Sequence, residues 1–192
     1  MRISNAKDII LHHDAEWARM MNEEHSERSL LLYGIAIITI SNIVWIIIRL
    51  FLPIKYVPMS WIGMYAGIQF VFSLASLLFI PIFFVMLAPR FGGRKDSLGA
   101  LKLYLFFATP VWVAAVIAPI PYLGWLSYVG VLFGLYLVWK HVPEALSISE
   151  DKKYFYFINI FFLLISVSAV IRIVAWVIAY KVAPFSYPIH KH

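Results

Sequence analysis

Five runs of apolar residues dominate the chain, at positions 30–52, 62–88, 101–119, 123–139 and 154–180. Each is continuous and lacks the in–out alternation of a barrel strand. A helix that crosses ~30 Å of hydrocarbon takes about 20 such residues. The pattern predicts an all-α fold, a polytopic integral membrane bundle of five transmembrane helices. Residues 5–24 follow a different period. Ala6, Ile9, Ile10, His13, Trp17, Met20 and Met21 fill one arc of a helical wheel, and Asp8, His12, Glu16, Arg19 and Glu23 fill the other. That spacing is an N-terminal amphipathic helix, with Asn5 as its cap. The expected organisation is an amphipathic segment at 1–28, a five-helix membrane domain at 29–182 and a tail at 183–192.

Prolines and glycines refine the spans. The second run is long enough, at about 40 Å of helix, to require tilt or a kink, and Pro81 is the position for the kink. Pro110 interrupts the third run, and Pro119 and Pro121 end it. Neighbouring helices have to cover the carbonyls such prolines free. Two glycine pairs stand four apart, Gly63 with Gly67 and Gly130 with Gly134, and read as close helix-packing positions.

Composition adds the solvent and the orientation. Only 14% of residues are charged and 62% are hydrophobic, with mean hydropathy +0.84. Soluble domains average about 25% charged residues. The net charge of +6 raises nucleic acid as a partner, but the bases sit in short loops beside apolar spans. That is the membrane-orientation signal, so no nucleic-acid partner is expected. Eleven Lys and Arg fall on the side holding the N-terminus and the second and fourth loops. Four fall on the other side, with Arg172 left out as intramembrane. The basic side faces the cytoplasm, so the N-terminus is expected inside and the C-terminus outside. No cleavable signal peptide is read in the first 28 residues. Trp61, Trp125, Trp139 and Trp176 fall near span ends, as headgroup-level rings do, while Trp45 and Trp112 lie inside spans as packing residues.

Candidate chemistry is sparse. There is no cysteine, hence no thiolate metal site and no cysteine nucleophile. His12 and Glu16 share a helix face, but two ligands do not make a metal site, and His190 and His192 lie on the tail. No phosphate loop, nucleophile elbow or paired intramembrane carboxylates occur. No catalytic residue, metal or cofactor is expected, and the chain reads as a non-enzyme. Arg172 is the sharpest oddity, a cation within a span while no span holds an Asp or Glu. Arg49 lies near the end of the first span, in the same half of the membrane. Two uses fit the pair: holding a lipid phosphate or another anion, or snorkelling to the headgroups. The amphipathic segment also has two uses. It can lie at the interface, anchored by Trp17 or packed beneath its own bundle, or it can dock a partner. Span residues such as Asn42, Gln69, Ser76 and Thr109 are read as structural hydrogen-bonding groups.

From Phe106 to Lys153 the residues resemble the Yip (Ypt/Rab-interacting protein) family, especially its short prokaryotic members. Ala108-Thr109-Pro110 opens the resemblance and Pro121-Tyr122-Leu123-Gly124-Trp125 forms the turn. Gly134-Leu135-Tyr136-Leu137 then leads to Val142-Pro143 and the charged stretch from Glu150 to Lys153. The resemblance implies a five-span protein of a prokaryotic plasma (inner) membrane that organises the membrane or recruits partners. Membrane lipids, other membrane proteins or further copies of itself are the partners it implies. Eukaryotic relatives engage Rab-type GTPases. Their Asp-Leu-Tyr-Gly-Pro element has no counterpart here, so GTPase binding does not carry over. The alternative from the residues is a transporter or lipid-handling protein with a site at Arg49 and Arg172.

Overall fold

The computed structural model describes residues 5–52 and 59–182, apart from the side chains of residues 5, 179 and 182. The Asn5 cap, Lys55 and the tail with His190 and His192 lie outside the described residues.

Five long helices are each long and apolar enough to cross a membrane. They are α3 (Glu27–Phe51), α4 (Met59–Leu87), α5 (Ser97–Ala115), α6 (Ser127–Leu146) and α7 (Glu150–Val182). Two short helices precede them, α1 (Asn5–Leu11) and α2 (His13–Asn22). The expected single amphipathic helix is therefore two, broken at His12, whose φ of −132° and ψ of 43° leave the helical region. The break re-aims the segment so that Ile9 on α1 and Trp17 and Met20 on α2 are all buried. Glu16, expected on the polar side, is also buried, where it accepts a 2.6 Å hydrogen bond from the Arg19 guanidinium.

Local chemistry moves the span boundaries. The third helix begins at Ser97 rather than 101, because the Asp96 carboxylate caps it by accepting from the Gly99 N–H at 2.8 Å. It ends at Ala115, ahead of Pro119, and residues 116–123 run in turns. The fourth helix continues past Trp139 to Leu146, with Pro143 inside its last turns. Pro81 lies inside α4 and is buried.

The helix α5 is the axis of the bundle. It packs against α3, α4 and α6, and α7 packs on α4 and α6. In α5, 72% of the membrane window is buried, against 17–39% for the other four. The more polar spans are the enclosed ones: α5 and α6 have mean hydropathies of 1.5 and 1.2, against 2.3 to 2.6 for the rest. Polar groups can be carried there because protein, not lipid, surrounds them. Tyr33 shares a hydrogen bond of 3.1 Å with Thr109, whose hydroxyl donates to Leu105 O, and Tyr104 meets Ser76 at 2.8 Å. Tyr156 donates to Phe84 O at 3.0 Å, and Asn42 to Ala66 O at 3.2 Å. Each of these bonds joins two helices except the Thr109–Leu105 bond, which lies within α5.

The glycine pairs divide. A Cβ on Gly134 would stand 2.5 Å from Phe107 O, and one on Gly130 would meet Pro110 O and Ala114. These two let α6 lie against the α5 backbone. Gly63 and Gly67 face open space, with nothing within 4 Å of an added Cβ. They pack against no helix among the described residues.

Candidate functional site

Arg49 and Arg172 line the same cleft. Each lies about 20 residues, or about 30 Å of helix, beyond the charged start of its own span, Arg28 for α3 and Lys153 for α7. That length is a hydrocarbon thickness, and both arginines lie towards the end of the bundle opposite the N-terminal helices. A cleft of about 680 Å³ opens there between α3, α4 and α7, with the end of α5 at its margin. Its lining is Trp45, Arg49, Trp61, Tyr65, Ala118, Arg172, Ile173, Trp176 and Val177.

Four of the nine lining residues are aromatic. The Arg49 guanidinium lies over the Trp45 ring, 5.5 Å from its centroid. Trp45 is 5.9 Å from Tyr65, and Tyr65 stacks on Trp61 at 5.0 Å with planes 8° apart. On the facing helix Trp176 stacks on Tyr180 at 5.4 Å. Gln69, one turn deeper, donates to the Tyr65 hydroxyl at 2.9 Å. Arg49 is half-buried and Arg172 exposed. Among the described residues no carboxylate lines the cleft. Two cations in one cleft with aromatic walls are suited to an anion, because guanidinium forks match phosphate oxygens and ring faces support the cations.

Trp45, assigned to core packing on sequence grounds, is thus a wall of the cleft. The signal for it lies in spacing. Trp45 and Arg49, Trp61 and Tyr65, Tyr65 and Gln69, Arg172 and Trp176, and Trp176 and Tyr180 all stand four apart, which places each pair on one helix face. Trp112 is a packing residue, 9% exposed against Tyr104.

At the opposite end of the bundle the N-terminal helices are docked onto the protein itself. Trp17 is 2% exposed. Its indole N–H donates to Glu144 at 2.5 Å, its ring stacks on His141 at 4.5 Å, and Phe106 meets its face edge-on at 4.9 Å. A side chain enclosed in that way packs the N-terminal helices onto the bundle. Lys102, buried on α5, donates to Met20 O in the last turn of α2, where a cation complements the helix dipole. Lys140 binds Asp14 and through that hydrogen bond holds the exposed carboxyl below its usual range.

The motif residues sit along one hairpin. Across α5 and α6, Pro110 faces Gly130 and Gly134 faces Phe107. Pro121 and Gly124 belong to the turn at the cleft end, where Tyr122 takes a left-handed φ of 64° and a Cβ on Gly124 would stand 2.8 Å from Ala118 O. Tyr136 edges against His13 at 5.9 Å, and Pro143 precedes the Trp17 acceptor Glu144.

No curated protein and no solved structure matches the chain. The family model described as Yip1 domain matches residues 7–171, which takes in the docked N-terminal helices and the five spans as far as the fifth. The chain belongs to the Yip1 domain family.

Proposed function

We propose that this protein is a non-enzymatic membrane organiser that holds an anionic lipid headgroup between Arg49 and Arg172. One observation carries the reading: two cations from helices distant in sequence line a single cleft in which, among the described residues, there is no carboxylate. Snorkelling alone would satisfy each arginine on its own helix and would not require them to meet. A fixed binding site is better supported than a transport path, because the region around α5 is filled by Leu103, Leu105, Phe106 and Leu137, all fully buried. Partner recruitment through the N-terminal helices is supported less well, since their apolar face is already covered by the bundle.

The test is lipid retention. Wild-type protein extracted in mild detergent is expected to keep anionic lipid, and Arg172→Ala and Arg49→Ala to lose most of it. Retention unchanged in both variants would remove the site.

The orientation belongs to the same proposal, with the N-terminus in the cytoplasm and the cleft facing outward. The chain has no cysteine, so Arg94→Cys gives a single label site in an exposed loop. It is expected to resist an impermeant thiol reagent in intact cells and to react after lysis. Labelling of intact cells would reverse the orientation.

A further inference from the structure

We propose that the cleft selects a lipid phosphate monoester over a phosphodiester. The inference rests on the headgroup reading above and assigns its ligand class. Charge is the first argument. Arg49 and Arg172 bring two positive charges, and no acidic side chain in the lining offsets either. A diester supplies one negative charge and leaves the cleft cationic, whereas a monoester carries about −1.5 to −2 near pH 7 and balances both arginines. The imbalance matters more at Arg49 than in water, because its guanidinium is half-buried against the Trp45 ring and screening there is reduced.

Geometry is the second argument. Each guanidinium presents a fork that pairs with two oxygens. Two forks on one phosphorus are better served by the three unsubstituted oxygens of a monoester than by the two of a diester. Size and lining then separate a lipid from free phosphate. About 680 Å³ is far more room than an inorganic phosphate fills, and it suits a headgroup with the first carbons of its chains. Ile173, beside Arg172, lines the cleft, and Val170 is exposed on the same helix toward the bilayer centre. A hydrocarbon tail leaving the cleft would run along that strip.

The experiment uses the full-length protein in nanodiscs of phosphatidylcholine. Phosphatidic acid and phosphatidylglycerol of identical chains are titrated in, with inorganic phosphate as a third arm, and bound lipid is counted by native mass spectrometry. Phosphatidic acid is expected to bind about tenfold tighter than phosphatidylglycerol at pH 8, a difference of about 1.4 kcal/mol. The preference should shrink towards pH 5 as the monoester regains its second proton, near pH ~6. Arg49→Gln and Arg172→Gln should each remove most of it. Equal binding of the two lipids, still dependent on both arginines, would overturn monoester selectivity and leave the headgroup site standing. Binding that ignores both arginines would overturn the two together. Displacement of phosphatidic acid by low-millimolar inorganic phosphate would overturn the lipid as the natural source.

Discussion

Replacing Trp17 with Ala is expected to release the N-terminal helices from the bundle. The side chain is 2% exposed, is the largest of the fully buried residues, and makes a ring stack, an edge contact and a hydrogen bond with three different residues. Truncating a buried Trp to Ala costs about 3–5 kcal/mol. The helices α1 and α2 have 7 and 10 residues. Helices that short are marginal in water without tertiary contacts, so the loss falls on the docked state rather than on the five spans. Opening of the segment should rise by about a hundredfold or more, since each ~1.4 kcal/mol is a factor of ten. Trypsin cleavage at Arg19 in detergent-solubilised protein reads that change. Trp17→Phe, which keeps the ring contacts and loses the donor to Glu144, should fall between the two. Cleavage of Trp17→Ala at the wild-type rate would show that the docking depends on other contacts.

Gly134→Leu is expected to disrupt the bundle, and Gly67→Leu to leave it intact. Both glycines belong to four-residue pairs in apolar helices, so sequence alone does not separate them. At Gly134 a new side chain would meet the Phe107 carbonyl oxygen, which is backbone and cannot turn aside. The helices α5 and α6 would have to part along the most extensive helix contact of the fold. Overpacking typically costs 1–3 kcal/mol and more where backbone must move. At Gly67 nothing stands within 4 Å, so Leu only adds apolar surface. Thermal stability in detergent, by size-exclusion chromatography after heating, compares the two. A loss at Gly67 as large as that at Gly134 would mean that the Gly63–Gly67 face is covered by another chain.

The five spans were legible because each is continuous apolar sequence, and a chain in lipid has few other ways to satisfy its backbone. Their ends were less legible. The start at Ser97 depends on the Asp96 cap, and the extension to Leu146 depends on a proline that hydropathy counts as a break. Which helix is central could not be read at all from apolarity. The helices α4 and α7 are apolar on all sides, so their sequences mark no preferred face, and the buried axis α5 is among the less hydrophobic spans. The break at His12 was hidden for a similar reason. The apolar period runs on through residues 9–21, and the interruption serves only to aim two faces at different helices.

Half of the cleft was visible beforehand. Arg49 and Arg172 stood out as the cations of one membrane half, but nothing local joins α3 to α7. The aromatic partners were encoded at a spacing of four on three separate helices, and only the packing of those helices turns three short stripes into one wall.

The most direct measurement is a structure of the protein determined in a lipid bilayer, at a resolution that shows headgroups. The account predicts a lipid phosphate in the cleft, within hydrogen-bond distance of both the Arg49 and Arg172 guanidinium groups, at about 2.7–2.9 Å. Two arginines turned separately to bulk water, with the cleft empty or filled by hydrocarbon alone, would contradict it.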